Sequence, residues 1–357
     1  MPESSPRPTC WVLAAPGAGD NHQLATLVEL VGADARWIDP PDPVGRVLRD
    51  RAIGFRATEI PPDRAARYRP PWPDLVMIAG GRGVIDARRI RNASGGLTKI
   101  VCVGRPWAPL DWFDLVLTTP QYRLPPHPNV LTLDLPLNRP PDVDEASLKH
   151  WRAAFADLPR PLLGVLLGGR SGSFAFANAD ALRLAARVES LVRRSRGSAV
   201  VVASPRTPSE ALDAIEATVR APVRVHPFRA DAPNPYAATL HLADALLVTS
   251  DSASMLAEAC FNGKPVAVAE LKERTRARLT RKLRAFAPVL DRATRHLTAR
   301  GLWIPARDMP ELHRRAAEAG RVTELEDLLA APAEKRAPAM PLCDVRERVR
   351  ELLERKN

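Results

Sequence analysis

The feature that most constrains the fold of this chain is an alternation of short apolar runs with amphipathic stretches, kept up over most of its length. Apolar runs at 10–15, 35–38, 74–79, 98–103, 114–118 and 129–135 have the length of strands. Between them lie stretches such as 21–31, where Leu24, Leu27, Val28 and Val31 share one helical face. The Pro-dense segment 136–141 breaks the pattern and reads as a boundary. It restarts at 162–167, a continuous apolar run suited to a strand covered on both faces. Further strands are predicted at 199–203, 223–226, 245–249 and 266–269. One intervening helix carries Leu182, Ala185, Val188 and Val192 as a stripe. Another opens on Thr207-Pro208-Ser209-Glu210, a capping box with Pro at the first helical position. Two more are read at 236–242 and 252–262.

Strands that alternate with helices imply parallel sheets joined by right-handed crossovers. Two such series, split by prolines in 357 residues, predict two Rossmann-like doubly wound α/β domains. The expected division is a first domain over 1–140, a linker over 141–160, a second domain over 161–300 and a helical extension over 301–357. In such sheets ligands bind beyond the carboxyl ends of the strands, so the loops there are the place to look for chemistry.

Composition narrows the function classes. Hydrophobic residues make up 45% and charged residues 26%, the balance of a globular protein. No apolar run approaches the ~20 residues needed to span a bilayer. Residues 1–9 are polar and lack the basic-then-apolar order of a signal peptide, which makes the cytoplasm the expected compartment. Cys10, Cys102, Cys260 and Cys343 are far apart with no C-x-x-C pair, so neither zinc nor a disulfide framework is expected, only buried or inert thiols. The net charge of +11 suits an acidic partner: a phosphate-bearing substrate, anionic lipid or nucleic acid. It is concentrated in 271–300, where ten Lys and Arg stand against Glu273 and Asp291. A solvated face is the ordinary reading of such a run. Its density makes docking on an anionic membrane, on the inner face of the cytoplasmic membrane, a serious rival. Nucleic acid is not expected, because no aromatics are interleaved with the basic residues.

Four loops carry chemistry-bearing residues. The first runs from Val248 through Thr249, Ser250, Asp251, Ser252 and Ser254 to Glu258. A helix N-terminus there offers unpaired N–H groups to a diphosphate, and Ser250, Ser252 and Ser254 add hydroxyls. Glu258, one turn beyond Ser254, can accept both hydroxyls of a ribose. The competing reading makes Ser252 a helix cap and Glu258 a surface acid. Asp251 counts against an anion and can cap backbone amides instead. The second loop is Gly168-Gly169-Arg170-Ser171-Gly172-Ser173, whose glycines would let the backbone approach a ligand. Ser171, Ser173 and Arg170 can serve a diphosphate; a plain tight turn is the alternative. The third, 16–23, holds Gly17, Gly19, Asp20, Asn21, His22 and Gln23, with Asp39 beyond the next strand. Its G-x-G is two-thirds of a dinucleotide fingerprint. The fourth is Gly80-Gly81-Arg82-Gly83. No G-K-[ST] follows the second loop, so it is not a Walker A loop, and Gly263-Lys264-Pro265 is not one either.

The stretch NPYAATLHLADALLVTSDSASMLAEACFNGKPV, 234–266, resembles the donor-site region of a family named for mitochondrial fission ELM proteins. Those proteins are regarded as GT-B glycosyltransferases. The resemblance covers the second half well and the first more loosely, through the 16–23 loop. It implies a GT-B-like pair of domains facing a cleft, with the second gripping a nucleoside-diphosphate sugar as donor substrate and no cofactor. It further implies Glu258 on the donor ribose, Phe228 near the base, and Asp20 or His22 as the group that deprotonates an acceptor hydroxyl. A cell-envelope or lipid-linked acceptor fits the basic patch. No D-x-D stands at a strand end, since Asp142-Val143-Asp144 lies in the predicted linker, so a metal-independent transfer is expected. A nucleotide-sugar epimerase on the same fold and a non-catalytic fission-type adaptor are the alternatives.

Overall fold

The computed structural model describes residues 7–39, 67–171, 173–275, 278–279, 288–329 and 342–354. Its contacts divide the chain into two units: 1–137 with 287–306 and 341–357, and 138–286 with 307–340.

The first unit is built on a six-stranded parallel sheet ordered β2-β1-β3-β4-β5-β6. The strands are β1 (Thr9–Leu13), β2 (Asp34–Ile38), β3 (Leu75–Ala79), β4 (Lys99–Val103), β5 (Leu115–Thr118) and β6 (Val130–Thr132). Helix α1 (Ala18–Val31) joins β1 to β2, and α2 (Val84–Ala93) joins β3 to β4. Every residue of β3 is buried, as a central strand covered on both faces requires. Leu24 and Leu27 of α1 and Ile90 of α2 are fully buried. The chain passes from β1 outward to β2 and returns to β3 on β1's other side, so the order reverses between β1 and β3.

The second unit holds a five-stranded parallel sheet ordered β11-β10-β7-β8-β9. Its elements are α3 (Glu145–Ala154), β7 (Leu162–Leu167), α4 (Asn178–Ser195), β8 (Ser198–Ala203), α5 (Ser209–Thr218), β9 (Val223–His226), α6 (Tyr236–Leu242), β10 (Ala245–Thr249), α7 (Ala253–Phe261) and β11 (Val266–Ala269). Here the order reverses between β7 and β10, which pair in register Leu163 to Ala245 and Val165 to Leu247. The predicted stripe of α4 is on its inner face, with Ala185, Val188 and Val192 buried, while Leu182 is exposed.

Several expectations need correction. Residues 141–160 are not a bare linker: Asp144 caps α3 by accepting the Ser147 N–H at 2.7 Å, and α3 belongs to the second unit. The segment 301–357 is not one extension. Helix α8 (Pro288–Ala299) and α10 (Leu342–Glu354) go with the first unit, and α9 (Met309–Glu318) with the second. In α10 the buried Val345 and Val349 decide this, with Arg346 and Arg348 donating to the carbonyls of Leu30 and Pro128 at 3.0 and 2.8 Å. The capping box at 207–210 does not form. Pro208 is the N-cap of α5, and the Thr207 hydroxyl turns back to the Leu167 carbonyl at 3.1 Å. Cys343 is exposed, unlike the other three thiols. Within the basic run 271–300, residues 276–277 and 280–287 lie outside the described residues. Among the described residues no helix is long and apolar enough to cross a membrane.

Candidate functional site

Two loops meet at the reversal point of the second sheet: the one after β7 and the one after β10. Their backbones are stitched by Thr249 and Asp251. The Thr249 hydroxyl accepts the Gly168 N–H at 2.8 Å and donates to Asp251 Oδ1 at 2.8 Å. Asp251 Oδ2 accepts the Gly169 N–H at 2.8 Å. Asp251 thus caps an amide, as its sequence position allowed. Its carboxylate is fully enclosed, and burial raises its pKa. From the other side Ser204 donates to the Gly168 carbonyl at 2.8 Å.

This packing accounts for the glycines. A Cβ on Gly168 would lie 2.3 Å from the Asp251 carboxylate oxygens, and one on Gly169 would lie 2.0 Å from the Arg206 carbonyl oxygen. The close approach they permit is protein on protein, where the sequence suggested protein on ligand. Beyond them Arg170 is exposed. Ser171 donates its N–H to the Phe174 carbonyl at 3.2 Å, and the Ser173 carbonyl accepts the Arg274 N–H at 2.8 Å.

The serines after β10 take separate positions. Ser252 is the N-cap of α7, its hydroxyl accepting the Met255 N–H at 3.4 Å. Ser250 is buried and accepts the Leu271 N–H at 2.9 Å. Both hydroxyls act there as acceptors, which leaves their protons for donation. Ser254 is half-buried in the first turn of α7. Glu258 is no surface acid. It is 5% exposed, and its Oε2 accepts the Tyr236 hydroxyl of α6. Burial pushes the Glu258 carboxyl up to about 7, and burial followed by Glu258 itself raises the Tyr236 phenol.

Next to Ser250 and Phe174 an open cavity of about 770 Å³ extends along the β11 side, lined also by Arg187, Leu271 and Lys272. At the far edge of the sheet, past β9, Phe228 is 40% exposed. His226 there packs edge-on against Trp151, with centroids 5.4 Å apart, and its buried Nε2 has no hydrogen-bond partner among the described residues. Burial and then Arg224 lower its pKa, which favours the neutral ring. Lys264, in the Gly263-Lys264-Pro265 turn, caps α6 by donating to the Ala243 carbonyl at 2.7 Å.

In the first unit the reversal point lies between β1 and β3, and the third and fourth loops follow those strands. Asp20 is in the first turn of α1, whose N-cap is Gly17, and His22 is exposed. Asn21 fixes the turn: its Oδ1 accepts the Ala15 N–H and its Nδ2 donates to the Ala15 carbonyl, each at 2.7 Å. Gln23 is buried. Arg82 is half-buried, and a Cβ on Gly81 would lie 2.3 Å from the Trp107 ring. Asp39 is exposed after β2. The residues proposed for donor and acceptor chemistry therefore belong to different units. Sequence reasoning did not single out Arg206 or Tyr236. Arg206 was masked by the helix-start signal that follows it, and nothing local to Tyr236 points to Glu258, 22 residues on.

Two doubly wound parallel sheets in one chain, each with polar loops at its reversal point, define a protein of the GT-B-like α/β class. A UDP-N-acetylglucosamine 2-epimerase assignment from Listeria monocytogenes shares this fold, with a TM-score of 0.51 at 12% identity over 99% of this chain and 98% of that one. A UDP-glucosyltransferase from Polygonum tinctorium aligns over 98% and 99% of the two chains, with a TM-score of 0.46 at 13% identity. The chain belongs to the mitochondrial fission ELM1 family, whose model matches residues 18–325. It is 30% identical over 223 residues to mitochondrial fission protein ELM1 of Arabidopsis thaliana. That match takes in 54% of this chain and spans about half, 51%, of the relative's length.

Proposed function

We propose that this protein transfers a sugar from a nucleoside-diphosphate sugar to a cell-envelope or lipid-linked acceptor. The observation that supports this most is Glu258, a carboxyl group kept at 5% exposure one turn beyond Ser254, with the Tyr236 hydroxyl as its described partner. A buried acid that packing alone would replace by an apolar residue points to a ligand. Glu258 takes the donor ribose. The amino end of α7, the protons of Ser250, Ser252 and Ser254, and Ser171, Ser173 and Arg170 face the diphosphate, with Gly169 holding the loop's shape and Phe228 near the base. Stabilising the departing diphosphate in this way is electrostatic catalysis, and it needs no divalent metal. Asp20 or His22 of the first unit removes the acceptor's proton. The basic segment 271–300 brings the protein to an anionic membrane from the cytoplasmic side.

The test is a thermal-shift screen against nucleoside diphosphates and nucleotide sugars, uridine diphosphate leading because the Listeria relative's name carries it. The donor so found is then incubated with membrane extract, with and without EDTA. A shift followed by acceptor-dependent release of nucleoside diphosphate, indifferent to EDTA, is expected. An isomerised sugar without release would favour an epimerase. Absence of any shift would leave a fission-type adaptor, fission being the process in the family's name.

A further inference from the structure

Arg206 lies in the turn after β8, outside every set of residues named above for the donor. Its carbonyl accepts the Arg170 N–H at 3.2 Å and fills the space a Gly169 side chain would need, so the two arginines are neighbours at the β7 end. Its guanidinium reaches toward the β7–β10 crevice, with Nη2 3.6 Å from Asp251 Oδ2. That is an ion-pair distance but long for a hydrogen bond. Asp251 already accepts Gly169 and Thr249, so it has little need of a third donor. The Arg206 side chain is 46% exposed and, among the described residues, keeps most of its five donors unspent. A buried carboxylate beneath it supplies a fixed opposite charge that tethers the guanidinium over the crevice. Two adjacent arginines with open donors suit an anion with more than one charge, and the planar fork of Arg suits phosphate oxygens.

We propose that Arg206 grips the diphosphate of the donor and that Asp251 is the positioning residue that holds it over the site. Identifying the anion as a nucleoside diphosphate rests on the function proposed above; the polyphosphate-binding chemistry does not. A structural role alone would confine Arg206 to neutralising Asp251.

The test is calorimetry on the full chain with uridine, its mono- and diphosphate, the other common nucleoside diphosphates and inorganic pyrophosphate. Wild type should bind a diphosphate more tightly than the matching monophosphate. Arg206→Gln should weaken diphosphate binding about tenfold or more, the effect of losing a charged hydrogen bond, and leave the bare nucleoside unchanged. Arg206→Lys, which keeps the charge over Asp251, should fall between and controls for folding. In Asp251→Asn, with circular dichroism confirming the fold, the loss should be absorbed in the double variant, since both residues act through one guanidinium. Unchanged diphosphate affinity in Arg206→Gln would overturn the grip, and additive losses would overturn the positioning role. If wild type binds pyrophosphate through Arg206 but no nucleoside diphosphate, the anion site stands and the nucleotide reading falls. If it binds neither, both fall.

Discussion

Burial sets the Glu258 carboxyl at about 7 against its ordinary 4.5. Between those values the folded protein holds a proton that the unfolded chain has released, so this group's contribution to stability is greatest below pH 4.5 and is lost as pH rises to 7. The two and a half units correspond to about 3 kcal/mol above neutrality. Glu258→Gln should therefore be more stable than wild type at pH 8, equal to it near pH 4, and flatter in between, as urea unfolding will show. The same variant should bind nucleoside diphosphate more weakly by roughly 1–3 kcal/mol. Wild-type pH dependence would remove the buried-acid argument; unchanged affinity would remove the ribose assignment. The sequence placed Glu258 one turn beyond Ser254 on the same helix. That it is buried against Tyr236 came from the packing of α6 on the sheet, 22 residues away in the chain.

Strands were the most legible elements, because a strand covered on both faces must be a continuous apolar run, as β7 is. All eleven predicted strands form, with ends shifted by a few residues. Helix starts were less legible: α1 begins at Ala18, ahead of its apolar stripe, and the box at Thr207 gives way to a bond to β7. Helix α10 shows how a terminal element finds its place. Its Val345 and Val349 are buried, and the helix packs with α1. Changing both to Ala removes four methyl groups, about 3 kcal/mol at ~0.8 kcal/mol each. Hydrogen exchange should then quicken in α1 while β7–β11 stay protected. Unaltered exchange in α1 would mean that α10 contributes nothing to the first unit.

At the scale of the molecule, charge is the property that sets its surroundings. The excess in 271–300 includes Lys272, Arg274, Arg278, Arg292, Arg295 and Arg300, all exposed. Each basic residue near an anionic surface contributes about 1 kcal/mol, so only several together can hold a protein there. Co-sedimentation with vesicles of rising anionic content should show binding that fades in high salt as the screening length shortens. Replacing Arg274, Arg278, Arg281 and Lys282 by Gln should release the protein and leave nucleotide binding intact. If wild type ignores anionic vesicles in low salt, the patch is only a solvated face.

The sequence by itself determined the class of fold, the number of strands and the loops that end at the two reversal points. Those follow from local periodicity, which one stretch of chain carries alone. Only the tertiary structure decided which unit takes α3, α8, α9 and α10, that Gly168 and Gly169 make room for Asp251 and Arg206, and that Arg206 stands at the site at all. Such facts depend on strands far apart in the chain ending side by side. β7 and β10 are neighbours although some eighty residues separate Gly168 from Thr249, and no local pattern records what their loops will meet.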